Sequence, residues 1–264
     1  MTVREAPSPN HDERPPGTPI DTLVLHYTGM RSAEEAIARL RDPASRVSCH
    51  YVVEENGACW RLVPEGRRAW HAGVSCWRGH EALNGRSVGI EVVNPGHEWG
   101  YRPFPAAQMA AVCAVARGLL ARHPIPARNV VAHSDVAPER KQDPGELFDW
   151  PGLARAGVGL WPRGVADAGA GDVVRDAAGL APVRAALGRI GYRVAPVDAP
   201  AGAPGSAARD DSGGSGRARD GGDPALAAVL RAFQRHWRPE GVTGEADAGT
   251  RARLLAVARL VDGA

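Results

Sequence analysis

The chain has 264 residues, enough for one sizeable domain and a small one. Hydrophobic residues make up 44% and charged residues 23%, and the net charge is +2, an ordinary balance for a globular protein. Lys and Arg are scattered without a tract, so nucleic acid is excluded as the expected partner, and no run approaches the ~18 apolar residues of a membrane span.

Residues 1–20 are polar and Pro-rich and read as an extended lead-in. They contain no apolar stretch of the signal-peptide kind, so the expected compartment is the cytoplasm, with the periplasm or cell envelope as the alternative. Thr22 to Tyr27 is a near-continuous apolar run, the pattern of a buried strand. Ser32 followed by Glu35 opens a helix through about Leu40 as a capping box. His50–Glu54 and Cys59–Val63 are two short strands. Glu55-Asn56-Gly57 joins them as a hairpin turn, since Asn-Gly tolerates positive φ. Val88–Val93 is another buried strand with one acid, Glu91, in its middle. From Ala106 to Arg122, Met109, Val112, Cys113, Ala116, Leu119 and Leu120 make one helical stripe. Asn129–Ala132 is the next strand. Alternation of strands and helices predicts an α/β domain, a mixed β-sheet flanked by helices, over residues 21–162.

A linker at 163–176, with Gly164–Gly171 reading as a hinge between separate cores, leads to a small C-terminal three-helix domain at 177–264. Val183, Leu187 and Ile190 share one helical face, and Leu226, Val229, Leu230 and Phe233 another. Thr250 opens a last helix carrying Leu254, Leu255 and Val257. The Gly/Ala/Ser-rich stretch 199–222 is expected to be a flexible insert. Cys49, Cys59, Cys76 and Cys113 show no CxxC spacing and are read as reduced, most of them as small buried hydrophobes. Trp60, Trp70, Trp77 and Trp99 all fall between residues 26 and 133; a sugar-binding groove is one use for them, and packing is another.

The segment His133-Ser134-Asp135-Val136-Ala137-Pro138-Glu139-Arg140-Lys141-Gln142-Asp143-Pro144-Gly145 puts a His, a Lys and an Asp in a short loop after the run Asn129–Ala132. The run Leu23-Val24-Leu25-His26 also ends in a His. Two imidazoles and one carboxylate at strand ends read as a zinc site with an open fourth position for water.

In this order VLHYTG, SCHYVV, RAWHAGVS, SVGIEVVNPG and VVAHSDVAPERKQDPG resemble the type 2 family of zinc-dependent N-acetylmuramoyl-L-alanine amidases, which includes phage lysozyme-like amidases and peptidoglycan recognition proteins. The likeness covers about residues 15–162. It implies a single Zn²⁺ held by His26, His133 and Asp143, with Glu91 as catalytic acid and Lys141 as catalytic lysine. It places Tyr27, His50, Tyr51, Trp70, His71, Arg78, Asn84 and Asn94 along the substrate cleft. The implied reaction is hydrolysis of the amide joining the lactyl group of N-acetylmuramic acid, or of its anhydro form, to L-alanine in peptidoglycan or muropeptides, by a monomer. Glu91 would shuttle a proton and Lys141 would stabilise an oxyanion. The tail segments LGRIGY, VLRAFQ and VTG, with Thr250, resemble a peptidoglycan-binding module more loosely.

Each assignment has a plainer competitor. A strand-end His can be hydrogen-bonded filler, Glu91 can pair with an Arg, Lys141 can be a solvated loop charge, and His50 and His71 can simply pack. His11, His97, His123 and His236 are read as surface residues. At the level of the whole chain the alternative is a non-catalytic recognition protein, against which the presence of Asp143 counts. A metalloprotease is a weaker option, since no HExxH motif occurs.

Overall fold

The computed structural model describes residues 2–165, 168–194 and 223–263. In chain order it contains β1 (Val3–Glu5), β2 (His11–Glu13), β3 (Thr22–Tyr27), α1 (Ala33–Arg41), β4 (Tyr51–Val53), β5 (Cys59–Arg61), β6 (Arg67–Ala69), β7 (Cys76–Trp77), β8 (His80–Glu81) and β9 (Ser87–Val92). These are followed by α2 (Gly96–Trp99), α3 (Ala106–Arg122), β10 (Val130–Ala132), α4 (His133–Val136), α5 (Trp150–Arg155), α6 (Ala177–Ile190), α7 (Pro224–Trp237) and α8 (Ala248–Asp262). The insert expected at 199–222 lies outside the described residues.

The main sheet has the order β1-β5-β4-β9-β3-β10. Only β4 and β5 are antiparallel neighbours; every other adjacent pair is parallel, so the sheet is mixed as expected. The lead-in is extended, and it is also paired. β1 lies parallel to β5, and β2 forms a separate antiparallel ribbon with β6. Short runs such as VRE carry no apolar signal, so these pairings are set by partners far along the chain.

Strand alternation sorts the side chains onto two faces. Leu23, Leu25, Tyr51, Val53, Ile90 and Val92 point to the face covered by α3, where Val112, Val115, Ala116 and Leu119 are buried. The opposite face carries Val24, Val52 and Val131 lower down and the ends of the parallel strands above them. α1 covers one side of that face through Leu40, packed with Cys49, Val52 and Val93. Ser32 caps α1 by accepting from the Glu35 N–H, as the sequence indicates.

The C-terminal helices cover the other side. Among the described residues this part of the chain holds α6, α7 and α8, and their core is not separate. Val183, Leu187, Ile190, Tyr192, Leu230, Phe233 and Leu254 share one apolar cluster with Val24, Ala72, Trp77, Leu83, Val131 and Val136 of the body. The expectation of a hinge between separate cores is therefore corrected. Glycine content marks where a chain can bend but carries no information on which apolar faces meet afterwards.

Candidate active site

β3, β9 and β10 run parallel, and their register decides what meets at their carboxyl ends. His26 stands opposite Glu91, and Leu25 stands opposite Ala132, the residue before His133. The two histidines thus leave adjacent strands at nearly one level. The loop after α4 brings back the third group, and the Ser134 N–H donating to the Asp143 carbonyl at 3.0 Å pins it there. The resulting triangle is tight. His26 Nδ1 lies 2.9 Å from His133 Nδ1 and 3.1 Å from Asp143 Oδ2, and His133 Nδ1 lies 3.0 Å from the same oxygen. All three residues are buried.

The donor set fits a zinc ion. Bonds of about 2.0–2.1 Å in a tetrahedral site space the ligand atoms about 3.3 Å apart, close to the observed triangle. The tautomers agree as well. The Ser87 hydroxyl donates to the Leu83 carbonyl at 2.7 Å, so its oxygen accepts from His71 Nε2–H at 3.0 Å. His71 Nδ1 must then accept, and it does so from His26 Nε2–H at 3.0 Å. That leaves the His26 Nδ1 lone pair directed at the triangle. His133 is set in the same way, with its Nε2 3.3 Å from the Ala72 carbonyl. Gly89 makes room for the relay, since a Cβ there would lie 2.6 Å from the His71 ring.

Charge is arranged to match. Burial, with His133 beside it, lowers His26 to about 4 against the pull of Asp143, so its imidazole is neutral near pH 7, the ligating form. Burial works against ionisation of Asp143, but His133 and His26 hold its carboxyl well below the usual carboxylate range. Burial and then the Asp143 carboxylate push Glu91 well above the ordinary value, with Lys141 opposing. One Glu91 oxygen, Oε2, has no hydrogen-bond partner.

These groups open onto a cleft of about 350 Å³ lined by Tyr27, Trp70, His71, Glu91, His133, Lys141 and Asp143, together with Met30, Arg39 and Arg140. The structure therefore brings together all three expected ligands, Glu91, Lys141 and three of the eight expected cleft residues. His71 has a further role, since it orients His26 from behind.

The other five lie elsewhere. Tyr51 is on the α3 face of the sheet, and its hydroxyl donates to Glu65 Oε1. His50 is wholly buried below the cleft; its Nδ1 accepts from the Gly89 N–H and its Nε2 donates to the Arg67 carbonyl. Asn84 Oδ1 accepts from the backbone of His71 and Ala72, bracing that loop from outside. Asn94 braces the turn before α2 through the Gly96 N–H and the Arg102 carbonyl. Arg78 donates to the carbonyls of Arg189 and Ile190 at the end of α6. His50, Tyr51 and Asn94 belong to the quoted motifs and Arg78 and Asn84 lie between two of them, and only the sheet face and loop path separate bracing from lining.

His236 is also corrected. It is buried, not on the surface; it stacks on Trp150 with ring centroids 3.7 Å apart, and its Nδ1 donates to Asp135 at 2.6 Å. Arg140, in the same motif as Lys141 but given no role by the sequence reading, straps the cleft loop, with its guanidinium donating to the Ala72 and Val74 carbonyls at 2.6 Å. The four cysteines are free, Cys49 and Cys59 buried and Cys76 and Cys113 partly open.

A mixed α/β sheet whose parallel strand ends gather a His-His-Asp triad, a protonatable carboxyl and a lysine in a cleft defines a hydrolase with a candidate metal centre. The chain belongs to the N-acetylmuramoyl-L-alanine amidase family, whose sequence profile matches residues 16–146. It is 38% identical over 247 residues to the N-acetylmuramoyl-L-alanine amidase AmiD of Escherichia coli K12, an alignment covering 88% of this chain and 80% of that protein. It is 36% identical over 169 residues to the 1,6-anhydro-N-acetylmuramyl-L-alanine amidase AmpD of Enterobacter cloacae, covering 57% of this chain and 87% of that protein. Among solved structures, the E. coli AmiD complex with anhydro-N-acetylmuramic acid-L-Ala-D-gamma-Glu-L-Lys superposes with a TM-score of 0.73 at 36% identity, covering 94% of this chain and 92% of that one. AmpDh3 of Pseudomonas aeruginosa with anhydromuramic pentapeptide gives 0.71 at 29% identity, covering 92% of this chain and 94% of that one. No helix among the described residues is long and apolar enough to cross a membrane.

Proposed function

We propose that this protein is a zinc-dependent amidase that hydrolyses the bond between the lactyl group of N-acetylmuramic acid, including its anhydro form, and L-alanine. The observation that carries the reading is the convergence of His26 Nδ1, His133 Nδ1 and Asp143 Oδ2 within 3.1 Å of one another beside Glu91 and Lys141. A zinc ion bound there supplies Lewis acidity toward a water and toward the scissile carbonyl.

The chain's own residues supply the rest. Glu91 stands next to His26 across the strand pair, with one oxygen unpartnered. Its raised affinity for a proton suits it to take one from water and return it to the departing amine of L-alanine. Lys141, on the cleft wall, offers a cation to the oxygen that gains charge as the carbonyl becomes tetrahedral. Trp70 gives an apolar surface on which a sugar ring can stack, and Tyr27 lines the same cleft. The reading also carries over one zinc per chain and a monomer. The C-terminal unit is proposed to bind the wall polymer, which would raise the local substrate concentration.

The test is product analysis. The purified chain, with metal removed and then restored by one equivalent of zinc, is given soluble anhydromuropeptide and intact sacculi. Release of peptides beginning with L-alanine, lost without zinc and regained with it, supports the assignment. Muropeptide binding without any cleavage at full zinc occupancy would establish a recognition protein instead.

A further inference from the structure

Asp135 lies two residues beyond His133, inside the same turn, and is fully buried. Its Oδ2 accepts from the Ala132 N–H at 2.8 Å and from His236 Nδ1 at 2.6 Å, and its Oδ1 accepts from the Tyr192 hydroxyl at 2.5 Å. Ala132 belongs to the body, whereas His236 is on α7 and Tyr192 follows α6. Two of the three donors to this carboxylate therefore come from the C-terminal unit. Neither donor is free to drift. Tyr192 packs edge-on against Trp77 at 5.1 Å, and His236 is stacked on Trp150.

The neighbouring residue on α7 holds the other ligand segment. Arg235 Nη2 reaches Gln142 Oε1 at 3.4 Å, next to Asp143, and Arg235 Nε lies 3.8 Å from Glu146 Oε2. Consecutive side chains of one helix thus grip the turn that carries His133 and the loop that carries Asp143. A wall-binding appendage with its own core has no need of such contacts.

We propose that the C-terminal unit is a working part of the metal centre, with Tyr192 and His236 as positioning residues that hold the His133 turn through Asp135, and Arg235 as the corresponding hold on the Asp143 loop. The inference rests on the reading of the triad as a zinc site. Partners one bond behind a ligand typically change metal affinity 10–100-fold, and a group acting through a shared turn belongs at the lower end of that range.

The experiment uses the full-length chain and its variants Tyr192→Phe, His236→Phe, His236→Asn and Arg235→Leu. Zinc affinity is measured by competition with a chromophoric chelator, thermal unfolding is measured without metal, and kcat and KM are measured on soluble anhydromuropeptide. Tyr192→Phe removes only a hydroxyl, and His236→Asn keeps a donor near the position of Nδ1, so both should fold. The expected result is a zinc dissociation constant about 10-fold weaker in Tyr192→Phe and His236→Phe. His236→Asn should recover much of that loss, and kcat should fall at near-constant KM. Wild-type zinc affinity and kcat in both variants would overturn the inference alone. A wild-type chain that binds no zinc would overturn the metal reading together with it.

Discussion

Replacing His71 by Leu removes the middle of the relay that runs from the Leu83 carbonyl through Ser87 and His71 to His26. Two hydrogen bonds go, each of 3.0 Å. The His26 Nε2–H is then left in a wholly buried position without an acceptor, which costs about 1–3 kcal/mol of folding stability. The second effect is on the ligand itself. With no acceptor behind it, the His26 ring is free to carry its proton on either nitrogen and to rotate, and a loss of this kind costs about 10–100-fold in metal affinity, equivalent to about 1.4–2.8 kcal/mol. Calorimetry of the metal-free chain reads the first term, and chelator competition reads the second. His71→Asn, whose amide oxygen sits near the position of Nδ1, should restore part of both. KM for soluble muropeptide should move little, since His71 acts through His26. A His71→Leu chain with wild-type zinc affinity and a raised KM would refute the relay and return His71 to the role of a substrate contact.

Glu91→Gln should keep zinc and fold but lose about 10²–10⁴-fold in kcat, because the amide cannot carry the proton; near-normal turnover would make Glu91 a core acid only. Ending the chain after Pro162 strips the cover from Trp77, Val131 and Val136 and leaves Asp135 with the Ala132 N–H alone. The metal-free melting temperature should fall and turnover should drop on soluble fragment and sacculus alike, whereas full activity on the fragment would show that the shared core is dispensable for catalysis. Glu65 accepts from Tyr51, Arg122 and His123, and these donors override the effect of burial and hold it at about 2 against an ordinary 4.5. A depressed carboxyl stabilises the fold above its unfolded pKa and loses that contribution as pH falls toward the folded one. Glu65→Gln should therefore be less stable by on the order of 2 kcal/mol at pH 7, a gap that closes between about pH 4.5 and 2 in paired melts; a gap constant with pH would refute the assignment.

The elements that the sequence made legible share one property, local periodicity or local chemistry. VLHY and VGIEVV read as buried strands because both faces are covered, and Ser32 with Glu35 announced the start of α1. The triad was legible for a related reason, since a His after each of two apolar runs puts both at the ends of strands. What was not legible depended on distance. Nothing in VRE says that it will lie beside Cys59–Arg61. His236 reads as one polar residue on an amphipathic helix until Asp135 is placed opposite. Tyr51 and His50 sit in the same motif, and only strand alternation sends Tyr51 to the α3 face while His50 points down into a buried bonding network. The tail's docking was hidden most deeply, because an apolar face on a helix does not say which other apolar face it will meet.

The site is assembled from two kinds of backbone. His26 and Glu91 are fixed by the ladder between β3 and β9 in the middle of the sheet, whereas Lys141 and Asp143 ride on a loop. Central ladders open only with the whole domain, and loops open far more readily. On the zinc reading proposed above, exchange of the ion should therefore follow the Asp143 loop and not the β3–β9 ladder. Loading and loss of that ion would then be a local event, slower while Arg235 of α7 holds Gln142 and Glu146 of the loop.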